Sequence, residues 1–149
     1  MLDFLIIGVQ KAGTTMLKKN LGKITDINIP NKELHFFDSR YHKGIEWYES
    51  HFIKGKINGE KTPNYITNES YIKNIYQNYP HVKIVVIFRN PVTRALSHWN
   101  HFDQIFNKSK NWGWEKHNKF LDSIKSNKSI LTNGHYTENL KNVYKYFKK

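Results

Sequence analysis

Asp3-Phe-Leu-Ile-Ile-Gly8-Val-Gln-Lys11-Ala-Gly13-Thr14-Thr15 opens the chain and carries its clearest structural pattern. Its apolar run, Phe4 to Ile7, reads as a parallel strand buried on both faces. A loop bounded by Gly8 and Gly13 follows, and Met16 to Leu21 reads as the helix after it. A strand, a tight loop and a helix start in this order turn backbone N–H groups and the positive end of a helix dipole towards an anion. The Gly8…Gly13 spacing is that of the G-x-x-x-x-G-K-[ST] phosphate loop, but Thr14 stands where that loop has its lysine, and Lys11 sits inside the loop instead. Taken alone, the spacing also fits a plain strand–turn–helix junction with glycines placed for turn geometry.

Working outward, residues 3–8 form the first expected strand and 14–22 its helix, and 23–31 include a short strand. Residues 32–57 are irregular, with a short helix around 44–51. Asn68 can cap a helix over 68–79, whose Tyr71, Ile72, Ile75, Tyr76 and Tyr79 share one face. Lys83–Phe88 is the strongest strand signal, and Pro91 suits the first turn of a helix running to about Gln104. Two more helices are expected at about 115–126 and 135–148. Alternating strands and helices imply an α/β fold of three layers, a central parallel sheet flanked by helices. Only two strands are strong, and the chain stops at Lys149 within an amphipathic pattern, so residues 1–149 read as one domain that is incomplete at its C-terminus or unusually minimal.

A chain of 149 residues suits one domain with a real core, and an aromatic content of 15% argues against disorder. The formal charge of +12 favours anionic partners without choosing among them. Cysteine is absent, which excludes a disulfide framework and thiolate metal sites. No apolar stretch reaches the ~18 residues of a membrane span, and Met1 runs almost directly into the first strand without a signal peptide. A cytoplasmic protein, or a fragment of a longer one, is expected on that ground. The basic residues are lysines except for Arg40, Arg89 and Arg94. The guanidinium fork binds phosphate bidentately, so two arginines in one short segment are informative.

That segment is Arg89-Asn-Pro-Val-Thr-Arg94-Ala-Leu-Ser97-His-Trp-Asn, directly after the second strong strand. Ligands of open α/β sheets bind beyond the carboxyl ends of strands, where Arg89 falls, and Ser97 on the next helix could share its anion. The alternatives are that Arg89 pairs with a neighbouring acid and that Arg94 is a solvated helix residue. His98 and His101 are three apart, but without acidic or cysteine companions they suit packing or surface roles better than a metal. Lys32-Glu33-Leu-His35-Phe36-Phe37-Asp38 sets a carboxylate and an imidazole two apart beside aromatic residues. Burial there would raise the carboxyl group and make a base near neutrality. The same residues also fit a loop anchored by two phenylalanines with Glu33 in water. Glu60-Lys61-Thr62-Pro63-Asn64-Tyr65 is a polar cluster that is uninformative by itself, and Trp99, Trp112 and Trp114 suit core positions as well as stacking.

Together these segments resemble the sulfotransferases that use 3′-phosphoadenosine 5′-phosphosulfate (PAPS), most of all the branch with the heparan sulfate N- and 3-O-sulfotransferase domains. The matching pieces stand in family order: residues 6–15, 32–38, Lys43-Gly-Ile-Glu-Trp-Tyr48, 60–65, 88–97 and Gly134-His-Tyr136. The resemblance covers nearly the whole chain. It implies that Gln10, Lys11, Ala12, Gly13, Thr14 and Thr15 hold the 5′-phosphosulfate, with Lys11 on the bridging oxygen. It implies that Arg89 and Ser97 bind the 3′-phosphate. Glu33 matches the catalytic base, Lys61 a lysine near the sulfuryl group, and His35 is the runner-up base. PAPS is then the donor, no metal is required, and the acceptor is a hydroxyl or amine, expected on a carbohydrate. Nucleic acid is not an expected partner. Family members continue into a further strand and a basic, glycine-containing loop over the 3′-phosphate. The alternatives are a truncated, non-catalytic nucleotide- or glycan-binding remnant and a P-loop kinase, which would need the lysine after Gly13.

Overall fold

A computed structural model describes residues 1–108 and 120–148. Four parallel strands form one sheet in the order β2-β3-β1-β4: β1 Phe4–Gly8, β2 Ile27–Asn28, β3 Ile57–Lys61 and β4 Lys83–Val86. β1 lies between two neighbours, opposing Leu5 to Glu60 on one side and to Ile84 on the other. Its Leu5, Ile6 and Ile7 are fully buried, which is why this strand is apolar on both faces.

β3 is the strand that periodicity does not reveal. Ile57-Asn-Gly-Glu-Lys61 is polar, yet its residues from Asn58 onward are buried. Its polar groups are satisfied inside: the Asn58 amide donates to the Ile53 carbonyl at 3.0 Å, and its oxygen accepts from Asn28 at 2.8 Å. Buried polar groups are tolerated when paired in this way.

Helix α1 (Thr14–Leu21) follows β1, α2 (Ile45–Glu49) precedes β3, and α3 (Glu69–Asn78) leads to β4. Asn68 caps α3 by accepting the Ser70 N–H at 2.9 Å. Helix α4 (Pro91–Lys108) starts at Pro91, and the Asn90 side chain accepts the N–H groups of Val92 and Thr93. The C-terminal pattern divides into α5 (Phe120–Ser126), α6 (Ser129–Thr132) and α7 (Tyr136–Tyr146). The expected start near 115, like Trp112 and Trp114, lies outside the described residues. The core beside the sheet is aromatic. Phe36 stacks on Tyr48 at 4.5 Å, and Phe37 meets Tyr65 edge-on at 5.4 Å. These contacts pin the wide turn Phe36–Arg40, and with it the Glu33–Asp38 segment.

Candidate active site

The loop after β1 wraps the start of α1. Gly13 has φ +107, a conformation that favours glycine, and its carbonyl accepts the Met16 N–H at 2.9 Å. The first turn of α1 carries no acid to compete with a bound anion. Lys11 is held at φ +68 although it is not glycine, a costly backbone for a side-chain residue. Thr14 is buried and Thr15 exposed.

On one flank of the loop, Lys11, Arg89, Thr93, Leu96, Ser97, Asn100 and His101 line a depression of about 460 Å³. Arg89 donates to the Thr93 hydroxyl at 3.2 Å and to the Lys11 carbonyl at 3.3 Å, and Tyr136 donates to the Arg89 carbonyl at 2.7 Å. Among the described residues its guanidinium contacts are with Thr93 and Lys11, not with a carboxylate. Burial and the nearby Arg89 both push the Lys11 ammonium below its ordinary pKa. A bound anion would relieve that crowding. The geometry brings together Lys11, Arg89 and Ser97 from two segments far apart in sequence.

Arg94 is not at this surface, and the solvated-helix reading of it is overturned. It is fully buried, donating to the Ile130 carbonyl and lying 3.3 Å from His98 Nδ1. It therefore ties α4 to α6, and Asn133 just beyond α6 donates to Gln10 in the loop at 3.1 Å. His98 is a packed residue: burial and then Arg94 push its pKa down to about 4. His101, by contrast, lines the depression and senses both Lys11 and Glu33.

On the other flank, Glu33 lies between two cations. Its carboxylate pairs with Lys61 of β3 and stands 3.3 Å from His35 Nε2. Lys61 also reaches the Thr15 hydroxyl at 3.4 Å, which places Glu33 beside the start of α1. His35 Nδ1 is 2.9 Å from Asp38, and Asp38 accepts from Asn64 at 2.9 Å. The order is thus Asn64, Asp38, His35, Glu33, Lys61, Thr15. The bond to Asp38, then that to Glu33, raises the His35 pKa to about 9, so the ring is cationic at neutral pH. Burial would raise the Glu33 carboxyl, but bonds from His35 and Lys61 outweigh it and hold the pKa below its ordinary value. The expectation of a raised carboxyl is corrected on that point: the pairing with two cations wins over burial.

Sequence reasoning passed over Asp38, although its position three residues after His35 was a usable signal. It also passed over Glu60, a fully buried carboxyl that burial raises to about 7. Polar surroundings in the sequence gave no hint that Glu60 is interior. Among the described residues, no group of three His, Cys, Asp or Glu side chains is placed to hold a metal, and no helix is long and apolar enough to cross a membrane.

A family profile described as "Sulfotransferase domain" matches residues 2–149. The chain belongs to the sulfotransferase family. Heparan sulfate glucosamine 3-O-sulfotransferase 6 of Homo sapiens is 41% identical over 96 residues, covering 62% of this chain and 28% of that protein. Membrane-associated sulfotransferase kil1 of Dictyostelium discoideum is 35% identical over 115 residues, 72% of this chain and 24% of that protein. The chain thus spans roughly a quarter of the length of these curated relatives. The crystal structure of a sulfotransferase from Alicyclobacillus acidocaldarius superposes with a TM-score of 0.79 at 23% identity, over 99% of this chain and 69% of that one. That likeness supports the three-layer fold with its parallel sheet flanked by helices.

Proposed function

We propose that this sulfotransferase-family chain moves a sulfuryl group from PAPS to a hydroxyl or amine of a glucosamine-containing glycan. The observation that carries the proposal is the seating of one ionised carboxylate, Glu33, between Lys61 and His35, against the Thr15 end of an anion loop. In this reading the loop N–H groups and Lys11 hold the 5′-phosphosulfate, and Arg89 with Ser97 holds the 3′-phosphate. Catalysis is then mostly positioning and fixed positive charge, without a metal. The acceptor oxygen or nitrogen attacks sulfur in line, the bond from sulfur to the phosphate oxygen breaks, and Glu33 takes the acceptor's proton. The leaving adenosine 3′,5′-bisphosphate carries away the electron pair beside Lys11. Lys61 is shared between Glu33 and the loop, so a bound sulfuryl group would draw it away and make Glu33 more basic. His35, already protonated, orients Glu33 and is a poor base. The acceptor class follows the similarity to heparan sulfate glucosamine 3-O-sulfotransferases.

The test is transfer of label from sulfur-labelled PAPS to heparan-type oligosaccharides, with chondroitin-type chains as a control. Label on the glucosamine-containing chains is the expected result. Bound donor with no transfer to any glycan or amine would favour a non-catalytic binding remnant.

A further inference from the structure

Glu33 and His35 sit in a segment outside the strand ladder, and its backbone donors need partners elsewhere. His35 has φ +52, so the segment cannot continue as a regular strand. Four consecutive main-chain N–H groups are nevertheless taken. Leu34 donates to Glu60 Oε1 at 3.3 Å and His35 to Thr62 Oγ1 at 3.4 Å. Phe36 and Phe37 both donate to the Tyr65 hydroxyl, at 2.8 and 3.4 Å. All three acceptor oxygens are side-chain atoms of one short stretch at and just past the end of β3. Glu60, Thr62 and Tyr65 are each fully buried. They are also linked: Thr62 donates to Glu60 Oε1, and Tyr48 donates to Glu60 Oε2 at 3.3 Å. Lys61, between two of them in sequence, points to Glu33 instead.

We propose that Glu60, Thr62 and Tyr65 are positioning residues for the sulfuryl-transfer base: they fix the backbone from Leu34 to Phe37 so that Glu33 and His35 meet, while Lys61 from the same stretch sets the charge. The stretch thus fixes by hydrogen bonds what a neighbouring strand would fix in a ladder. A carboxylate oxygen and two hydroxyls suit this because a hydroxyl can accept one N–H while donating onward, as Thr62 does to Glu60. The inference rests on the proposed role of Glu33, but its decisive readout does not need turnover.

That readout is the titration of the His35 imidazole by NMR, assigned with His35→Gln. The charged groups facing His35 are Glu33 and Asp38 of its own segment, with Lys61 of β3 beyond Glu33. Thr62→Val removes the hydroxyl at nearly constant shape, Thr62→Ser restores it, and Tyr65→Phe removes the second acceptor. Glu60→Gln is the third probe, and the Thr62 and Tyr65 variants stand independently of whether it folds. In Thr62→Val and Tyr65→Phe the His35 midpoint should fall by about one unit or more towards its free value, and Thr62→Ser should hold it near the parent's. Adenosine 3′,5′-bisphosphate affinity, read by calorimetry, should stay within about threefold in all of them. An unmoved midpoint in both Thr62→Val and Tyr65→Phe overturns the proposal. So does a loss of nucleotide affinity in step with the melting temperature, which marks a merely structural role. A midpoint that moves as expected in a chain that transfers no sulfuryl group upholds the positioning and rejects the catalytic reading alone.

Discussion

At the residue scale, two neighbouring titratable groups are set apart by what surrounds them. Glu33 is kept ionised by Lys61 and His35, and His35 is kept protonated by Asp38. Only the first can take a proton at neutral pH. Glu33→Gln should lower sulfuryl transfer roughly 10²–10⁴-fold while leaving nucleotide affinity unchanged or improved. His35→Ala should cost less, because on the proposed roles it removes an orienting contact and leaves Glu33 to take the proton. Full turnover in Glu33→Gln with a collapse in His35→Ala would reverse the roles. The sequence singled out Glu33, His35 and Lys61 by resemblance, but not how they divide the work. The protonation of His35 depends on Asp38, and on a left-handed backbone at His35 that residue types alone do not announce.

At the element scale, β1 and β4 were legible because both are apolar runs. β3 was not, because Asn58 and Glu60 are buried by hydrogen bonding rather than by hydrophobicity. Arg94 was misread for the same reason: a guanidinium in a helix pattern looks solvated until α6 supplies the carbonyl that accepts from it. Gly8 shows a related gap. Its spacing to Gly13 suggested turn geometry, whereas a Cβ at Gly8 would lie 2.6 Å from Ile66 Cγ2 and 3.1 Å from its Cβ. Ile66 is fully buried in the turn beside Tyr65, so it has little room to give. Gly8→Ala should therefore destabilise the protein by about 1–3 kcal/mol, the usual cost of overpacking. Denaturant unfolding measures this, and an unchanged midpoint would show that the turn yields freely.

At the scale of the whole molecule, the three-layer architecture was legible from the alternation of elements, and the pH dependence of stability was not. His35 has a folded pKa of about 9 against an ordinary 6.5, so its stabilisation is complete below pH 6.5 and is lost as pH rises through 9. Glu60, raised to about 7, also makes stability fall with rising pH between its ordinary value of 4.5 and 7, because the unfolded chain ionises first. Stability should fall between pH 6 and pH 9.5. The His35 share is roughly 1–2 kcal/mol once its exposure to solvent is allowed for, and His35→Gln should flatten that part of the curve. A parent curve that is level or rising would contradict the assigned charges. In the proposed donor complex, the loop after β1 at one end and Arg89 with Ser97 at the other would hold a 3′-phosphorylated nucleotide. Calorimetry without magnesium, comparing adenosine 3′,5′-bisphosphate with ATP on the parent and on Arg89→Ala, tests it most directly. The bisphosphate should bind more tightly than ATP, and Arg89→Ala should weaken it by roughly 2–4 kcal/mol. Equal or tighter binding of ATP, or an unchanged bisphosphate affinity in Arg89→Ala, would contradict it.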